Sequence, residues 1–380
     1  MVKKNLTLLF NHFEESYFGK DVFLVPYYIG KIYNYSVTIV FPKLSDNILL
    51  PNEYRGVKLT PIDYVGNSND SVAKDLALFK YLLKNAKKID FLMRFHNSLI
   101  TAIMISLYKI LNKKGFTYVK LDIDPLFITE QMGKNKFKSL CIHYIYKYYT
   151  QVVDLVSCET PQSYQKLQNS KSILYRFGNK LRLMPNGFDE DKLEQIGTNV
   201  RNYQQKENLI ITVGRLGTEE KNTSLLLEAL ENIELHNWKV ILIGPIQESF
   251  QSKIQQFYKR NPHKKNAVLF TGAIYNKKDL WEYYNRAKVF VLTSKRESYG
   301  LVLNEAKRFK NYILTPNVGA ASDILENNHY GNLISNKESG DLSNRLNNII
   351  LGKTNINVYS NFDPFGLSWE NMIHSLHIHN

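Results

Sequence analysis

The stretch KVFVLTSKRESYGLVLNEAKR, residues 288–308, is an apolar run, a short polar loop and a segment with helical spacing. The run has no alternating polar positions, which is typical of a strand buried on both faces of a parallel sheet. Glu297 falls in the loop, and Glu305 falls about one and a half turns inside the helix that Gly300 begins. The stretch therefore predicts a strand–loop–helix unit with two carboxylates near the carboxyl end of the strand.

Similar units surround this stretch and define an α/β second half. Strand-like and helix-like segments alternate through LIITVGR, TSLLLEALENI, WKVILIG, FQSKIQQFYKR, AVLFTG, KDLWEYYNRA, KVFVLTS, YILTP, ASDILE and GNLIS, from residue 209 to residue 335. Such alternation predicts a parallel sheet covered by helices on both faces.

The first half of the chain alternates less regularly but is also predicted to be α/β. Strands are predicted at 6–10, 36–42, 89–96, 116–122 and 152–160, and helices at 77–86 and 99–111. The polar segment 189–208 lacks sustained apolar periodicity, so we interpret it as a linker. A chain of 380 residues suits two domains, and we predict them at 1–190 and 205–364.

The bulk composition limits the class of protein. Hydrophobic residues make up 44% of the chain, but no apolar run is long enough to span a bilayer. The start MVKKNLTLLF predicts a first strand rather than a signal peptide, and we expect a cytoplasmic protein whose Cys141 and Cys158 are free thiols. The net charge of +14 favours polyanionic partners and leaves nucleic acid, an anionic membrane face and phosphorylated small molecules open.

Polar and glycine residues follow the predicted strands of the second half, where open α/β sheets bind ligands. Gly214 and Gly217 allow a tight turn, and Arg215 and Lys221 would supply counter-charges for a diphosphate. A solvated turn with surface charges is the alternative reading of this loop.

The loop before the predicted helix offers a second set of contacts. The amides of Gly300 and Leu301 can bind phosphate oxygens at a helix start, while Glu305 can accept hydrogen bonds from a ribose and Glu297 from sugar hydroxyls. The alternative is a loop acid and an exposed helix acid without a ligand. Gly319, in TPNVGAASDIL, marks a third strand end suited to close backbone approach.

In the first half, His96 and Asp122 fall at predicted strand ends and are candidates for the same ligand, although a lone histidine there is more often structural. The catalytic residues we predict are Glu297, Arg215, Lys221, His96 and Asp122. The donor-binding residues we predict are Gly214, Arg215, Lys221, Glu297, Gly300, Leu301 and Glu305. The second half offers no Asp-x-Asp metal motif, so no metal ligand is predicted.

Three motifs, GRLGTEEKN (214–222), SKRESYGLVLNEA (294–306) and NVGAASDIL (317–325), resemble the nucleotide-binding domain of retaining GT-B glycosyltransferases, family 4 (glycosyl transferases group 1). The family's Glu-x7-Glu signature falls on Glu297 and Glu305, and its diphosphate contacts fall on Arg215 and Lys221. MPNGFD (184–189) is similar to the family's Pro-Asn-Gly turn. The segment LSWENMIHSL resembles its C-terminal segment, which implies that residues 365–380 pack back on the first domain.

The resemblance implies two Rossmann-like, doubly wound domains facing a cleft. It implies a metal-independent, retaining hexosyltransferase that uses a UDP-sugar and no other cofactor. The acceptor would be a glycan, a lipid-linked molecule or a protein in cell-surface polysaccharide or glycoconjugate synthesis. Where the family often has a histidine after a strand of the first domain, this chain has Leu121–Asp122, so the role of that histidine is not carried over.

Two other functions fit the same observations. One is a UDP-sugar epimerase of the same fold, and the other is a nucleic-acid-binding protein that uses the basic surface. Segment 136–151 also places Leu140, Ile142 and Ile145 beside Lys136, Lys138 and Lys147, a pattern that can bind an anionic membrane surface as a peripheral protein. The alternative is that this apolar stripe packs into the first domain's own core.

Overall fold

The computed structural model describes residues 3–43, 50–67, 70–124, 128 and 140–378. The chain divides into two compact units, one of Met1–Asp189 with Ser368–Asn380 and one of Glu190–Leu367. None of the helices in these described ranges is long and apolar enough to cross a bilayer.

The first unit is built on an eight-stranded sheet in the order β3-β4-β2-β1-β5-β6-β7-β8, in which only the β3–β4 pair is antiparallel. Its strands are β1 Asn5–Leu9, β2 Ser36–Pro42, β3 Glu53–Tyr54, β4 Val57–Ile62, β5 Phe91–Phe95, β6 Phe116–Lys120, β7 Leu155–Cys158 and β8 Leu181–Leu183. Its helices are α1 Asp21–Tyr33, α2 Ser71–Asn85, α3 Leu99–Leu111, α4 Leu140–Val152, α5 Pro161–Gln168 and, from the C-terminal segment, α13 Trp369–His374.

Both faces of this sheet are covered, which explains the continuous apolar runs of its strands. Along β5, Phe91, Met93 and Phe95 belong to one core and Leu92 to the core on the opposite face, as the alternation of strand side chains requires. Polar caps set the helix starts: the Ser98 hydroxyl accepts a hydrogen bond from the Thr101 amide at α3, and Asp70 accepts one from Ala73 at α2.

The C-terminal helix α13 packs in the first unit, against the MPNGFD turn. The Trp369 side chain is 1% exposed, and its backbone amide donates to the Phe188 carbonyl at 3.1 Å. A Cβ on Gly187 would lie 2.4 Å from the Trp369 nitrogen, so only glycine allows this approach. The Asp189 carboxylate accepts two hydrogen bonds from Arg55 and one from Tyr28, which anchors the turn to the first sheet.

The second unit is built on a six-stranded, fully parallel sheet in the order β11-β10-β9-β12-β13-β14. Its strands are β9 Glu207–Val213, β10 Lys239–Ile243, β11 Val268–Gly272, β12 Ala287–Val291, β13 Tyr312–Thr315 and β14 Gly331–Leu333. Its helices are α6 Glu190–Ile196, α7 Thr223–Glu231, α8 Gln251–Arg260, α9 Lys277–Arg286, α10 Leu301–Arg308, α11 Ala321–Leu325 and α12 Ser339–Ile350. The parallel α/β architecture predicted for both halves is confirmed.

The interpretation of residues 189–208 as a linker is wrong for most of that segment. Helix α6 begins at Glu190 and belongs to the second unit. The Glu190 carboxylate pairs with Arg308 at 2.5 Å and 2.9 Å, and Leu193 is buried. A single buried leucine in a polar segment gives no periodic signal, so sequence alone did not reveal this helix.

Candidate functional site

The strand order of the second unit fixes where a ligand can bind. The chain runs from β9 through β10 to β11 at one edge of the sheet, then crosses to β12 and continues through β13 to β14 at the other edge, so the strand order reverses between β9 and β12. In open α/β sheets, ligands bind outside the carboxyl ends of the strands at such a switch point. The loops that follow these two strands are 214–222 and 292–300, which contain most of the predicted donor-binding residues.

Hydrogen bonds join these two loops to each other. The Lys295 amide donates to the Glu220 carbonyl at 2.7 Å, and the Thr293 hydroxyl donates to the Lys221 carbonyl at 2.9 Å. The loop after β13 joins them, because the Ala320 amide donates to the Tyr299 carbonyl at 2.9 Å. The three strand ends singled out in the sequence therefore form one continuous surface.

Gly319 of the third loop lies directly against the second loop. Its φ of +55° lies in the left-handed region, and a Cβ there would lie 2.4 Å from the Tyr299 oxygen and 3.1 Å from the Glu297 Cβ. A side chain would separate the two loops and displace Glu297. The close approach at Gly319 is thus to the protein's own backbone, and the approach to a ligand expected there stays a prediction.

Lys221 and Glu297 lie in direct contact at the centre of this surface. The Lys221 ammonium donates to the Glu297 Oε1 at 2.5 Å, and the Ser294 hydroxyl donates to the same oxygen at 2.7 Å. The side chains of Lys221 and Glu297 are 20% and 12% exposed. The site thus holds a cation and a carboxylate that are ordered yet still accessible to a ligand.

Arg215 lies on the same loop but is more open to solvent. Its guanidinium donates to Glu220 at 2.8 Å, and both side chains are 63% exposed. An exposed pair of this kind contributes little to stability, so it can be exchanged for a ligand at small cost.

The helix α10 begins at the edge of this surface. Gly300 occupies the N-cap position with φ of +92°, a conformation that glycine adopts without strain, and Leu301 is the first helical residue. The first amides of a helix have no partner within it and carry a partial positive charge. Both features suit the phosphate contact predicted for Gly300 and Leu301.

Glu305 lies farther along α10 and is held by a pair of donors that sequence analysis missed. Its Oε1 accepts a hydrogen bond from the Lys277 ammonium at 2.5 Å and one from the Trp281 indole at 3.0 Å. These donors are one turn apart on α9 and therefore share a face. The four-residue spacing of Lys277 and Trp281 could have indicated this shared face from the sequence. The helix was predicted to begin only at Lys278, however, which left Lys277 outside it.

An aromatic core supports this part of the site. The Tyr284 ring stacks between Phe290 and Phe309, with centroid distances of 5.6 Å and 6.1 Å. Burial, with a smaller contribution from the Glu305 carboxylate, raises the pKa of the Tyr284 hydroxyl well above its ordinary value. Tyr284 is therefore neutral at any working pH and serves as a rigid support behind Glu305.

His96 and Asp122 belong to the first unit, where they follow the neighbouring strands β5 and β6. Both are exposed, and His96 has φ of +62° while its amide donates to the Lys120 carbonyl at 2.9 Å. They lie at the carboxyl edge of the first sheet, as predicted. Their catalytic roles stay predictions.

A buried charge cluster lies behind that edge and was not anticipated. The Lys120 ammonium, on a fully buried side chain, donates to Asp21 at 2.8 Å and also to Glu159. The Glu159 Oε1 also accepts from the Asn186 amide at 2.9 Å. Burial raises the pKa of Glu159 to about 8, and Lys120 opposes that shift. Burial is the main cause of the higher pKa of Glu159, and the nearby carboxylates of Asp122 and Asp21 add to it.

Comparison with known proteins agrees with this geometry. Residues 198–363 match the family described as glycosyl transferases group 1. The amylovoran biosynthesis glycosyltransferase AmsD of Erwinia amylovora is 29% identical over 107 residues, 28% of this chain and 28% of that protein. The capsular polysaccharide biosynthesis glycosyltransferase CapM of Staphylococcus aureus is 27% identical over 167 residues, 43% of this chain and 41% of that protein. The chain thus spans less than half of each of these curated relatives.

The similarity of fold extends over nearly the whole chain. The crystal structure of Anabaena Alr3699/HepE in complex with UDP has a TM-score of 0.65 and 16% sequence identity, and the match covers 98% of each chain. The predicted fold class, two Rossmann-like domains of the GT-B type, is confirmed by this likeness.

Proposed function

We propose that this chain, whose residues 198–363 match the glycosyl transferases group 1 family, is a retaining glycosyltransferase that uses a UDP-sugar. The acceptor is a glycan, a lipid-linked molecule or a protein in cell-surface polysaccharide or glycoconjugate synthesis. The reaction needs no metal and no cofactor other than the donor substrate.

The observation that carries this proposal is the pair of acid–lysine contacts in the second unit. Lys221 holds Glu297 in the switch-point loops, and Lys277 holds Glu305 on the helix that follows. A nucleotide-sugar has a diphosphate between two sets of hydroxyl groups, so it needs cations at its centre and acceptors at each end. Lys221 and Arg215 supply the cations, Glu305 accepts from the ribose, and Glu297 accepts from the transferred sugar.

The same residues suit the chemistry of sugar transfer. When the bond between the sugar and the diphosphate breaks, negative charge accumulates on the leaving phosphate. Donors that are already positioned stabilise such charge more than water does. Lys221, Arg215 and the first amides of α10 fill that role, while the contact with Ser294 at 2.7 Å keeps Glu297 oriented toward the sugar.

The choice of UDP as the nucleotide and of polysaccharide synthesis as the pathway is supported by the similar proteins. The Anabaena structure contains UDP, and CapM takes part in capsular polysaccharide biosynthesis. Retention is inferred from the resemblance of the Glu297 and Glu305 motif to family 4 enzymes, in which the acceptor attacks from the side of the leaving group and the donor phosphate helps to accept its proton.

Proton NMR of a panel of UDP-sugars incubated with the protein tests the proposal. The expected result is slow release of UDP from one donor, with a first-formed free sugar that keeps the donor's anomeric configuration. An inverted first product contradicts retention.

The same spectra separate the alternative functions. Conversion of one UDP-sugar into another, without net release of UDP, identifies an epimerase. If no donor reacts and none binds, while nucleic acid binds tightly with a steep salt dependence, the basic surface serves nucleic acid and the proposal is wrong.

A further inference from the structure

Helix α4 of the first unit has one buried face, and its remaining surface carries an exposed apolar row and a side that lines a basic cavity. Tyr146 and Tyr149 are buried, and Ile142 and Ile145 pack against the same core. The expectation that Ile142 and Ile145 form a membrane-binding stripe is therefore wrong, because they are needed in the core. Lys136 and Lys138 lie outside the described residues.

A second apolar row on α4 remains exposed. Leu140, Tyr144 and Tyr148 are 77%, 62% and 39% exposed, and their spacing of four residues places them on one side of the helix. Exposed leucine and tyrosine side chains in one row are costly in water, and tyrosine is favoured at membrane–water interfaces.

A basic cavity adjoins this row. It has a volume of about 850 Å³ and lies between α4 and residues 169–176. Its cationic members are Lys147, Lys171 and Arg176, most of its other side chains are polar, and none of the described residues that line it is acidic. The Arg176 guanidinium donates to the Lys171 carbonyl at 3.5 Å, which ties two of the cations to the same loop.

The cavity extends along α4 away from the strand ends at which transfer is expected, and only its loop reaches that edge, where the Asn97 side-chain amide donates to the Leu174 carbonyl at 2.8 Å. Thr150 and Gln151, which line it, are at the C-terminal end of α4, and this helix leads directly into β7. They therefore lie near the amino ends of the strands, opposite the edge that carries His96 and Asp122. The cations of this cavity are not explained by the reaction.

We propose that the exposed row Leu140–Tyr144–Tyr148 and the adjoining basic cavity form a docking surface for an anionic phospholipid membrane. The cavity binds lipid phosphates, and the row inserts at the level of the headgroups. A soluble anion would use the cations but leave the apolar row without a function, which is why a bilayer fits better. The inference deepens the proposed function, because it places the enzyme where a lipid-linked acceptor is found.

Sedimentation with phosphatidylcholine vesicles, with and without phosphatidylglycerol, tests this surface. The full-length protein is expected to bind only the anionic vesicles. The triple variant Lys147→Gln, Lys171→Gln, Arg176→Gln should bind them about a hundred-fold more weakly, at about fivefold for each cation. The variant Leu140→Ser, Tyr144→Ser should also lose binding, although its charge is unchanged.

Two controls separate the surface from net charge and from misfolding. Lys259→Gln, Lys265→Gln, Lys353→Gln removes three exposed charges from the second unit and should bind like the wild type. Lys147→Arg, Lys171→Arg, Arg176→Lys keeps every charge and should also bind. Equal binding by the triple Gln variant and its control overturns the inference, and so does tight binding to heparin or DNA but not to anionic vesicles.

Calorimetry with UDP makes the two proposals separable. The surface variants should bind UDP as the wild type does. If UDP binds but vesicles do not, only the membrane surface is refuted. If UDP fails to bind the wild type, the proposed function falls, whatever the vesicles show.

Discussion

Each glutamate of the candidate donor site has a lysine of its own, and the two pairs have different surroundings. Glu297 accepts hydrogen bonds from Lys221 and Ser294, which lie in the loops at the switch point. Glu305 is held from α9 by Lys277 and Trp281, with buried aromatic rings behind it. Because the two pairs belong to different elements and would face different parts of the donor, the two carboxylates should respond differently to mutation.

Replacing each glutamate separately should distinguish the ribose contact from the sugar contact. Glu305→Gln should weaken both UDP and the UDP-sugar by about tenfold or more, because charge-assisted hydrogen bonds to the ribose are lost. Glu297→Gln should leave UDP affinity unchanged and reduce transfer. Calorimetry and turnover measurements on both variants check this, and the reverse pattern would exchange the two roles.

Lys277 should act as a positioning residue for Glu305. Lys277→Met should weaken UDP by about tenfold and leave inorganic pyrophosphate binding unchanged, because only the ribose contact is disturbed. Lys277→Arg should restore much of the affinity, and Lys278→Met on the exposed side of α9 is the matched control. A parallel loss of pyrophosphate binding would mean that Lys277 contacts the phosphates directly.

At the level of elements, the donor surface depends on how closely three loops approach one another. Gly319 permits the contact between the third loop and Tyr299, and a Cβ there would collide with the Tyr299 oxygen. Gly352, after α12, has a similar φ of +69° but no atom within 4 Å of its Cβ position. Substitutions at these two glycines therefore distinguish the effect of backbone strain from the effect of a steric collision.

Gly319→Ala should weaken UDP-sugar binding by at least tenfold, because the loops must separate and Glu297 must move. Gly352→Ala should cost about 1 kcal/mol of stability through backbone strain alone and leave UDP-sugar affinity unchanged. Thermal unfolding and calorimetry on both variants check this. Equal UDP-sugar affinities for the two variants would show that loop contact at Gly319 does not shape the donor site.

The carboxyl ends of β6 and β7 contain the buried Lys120 cluster, which should make stability depend on pH. The pKa of Glu159 is raised from 4.5 to about 8, so the folded chain binds more protons than the unfolded chain in that window. The stabilisation is complete below about pH 4.5 and is lost as the pH rises through about 8. Glu159→Gln keeps a side-chain oxygen to accept from Lys120 but does not titrate.

Melting temperatures measured from about pH 5 to about pH 9 check this expectation. The wild type should lose stability relative to Glu159→Gln as the pH rises, while Glu228→Gln, at an exposed glutamate, should run parallel to the wild type. Parallel curves for the wild type and Glu159→Gln would show that Glu159 does not titrate in this window.

At the scale of the whole molecule, periodic patterns predicted the second unit best. Most of its strands contain a continuous apolar run, and the glycine and charged residues after β9 and β12 were found because strand ends in such sheets meet at one edge. Contacts between distant segments were not predictable. Pairing of Lys277 with Glu305 depends on how α9 packs beside α10, and the Lys120 cluster joins β6 to residues far away in the sequence.

Two helices, α1 and α6, were not predicted from the sequence, and each omission has a physical reason. Helix α1 carries Pro26 in its interior, which argues against a helix when only the sequence is read. Helix α6 is held by an ion pair with Arg308 and one buried leucine, neither of which has a periodic signature. The exposed row of α4 was obscured because its two isoleucines dominate the apolar pattern yet belong to the core.

Titration calorimetry with UDP on the wild type and on Arg215→Ala tests the central claim, a nucleoside-diphosphate site in the second unit. The wild type should bind UDP at one site, and Arg215→Ala should bind it tenfold to a hundred-fold more weakly, at about 1.5–3 kcal/mol for the lost contact. Arg260→Ala, which breaks a comparable exposed pair with Glu231, should bind like the wild type. Absence of UDP binding by the wild type, or unchanged affinity in Arg215→Ala, would contradict the account.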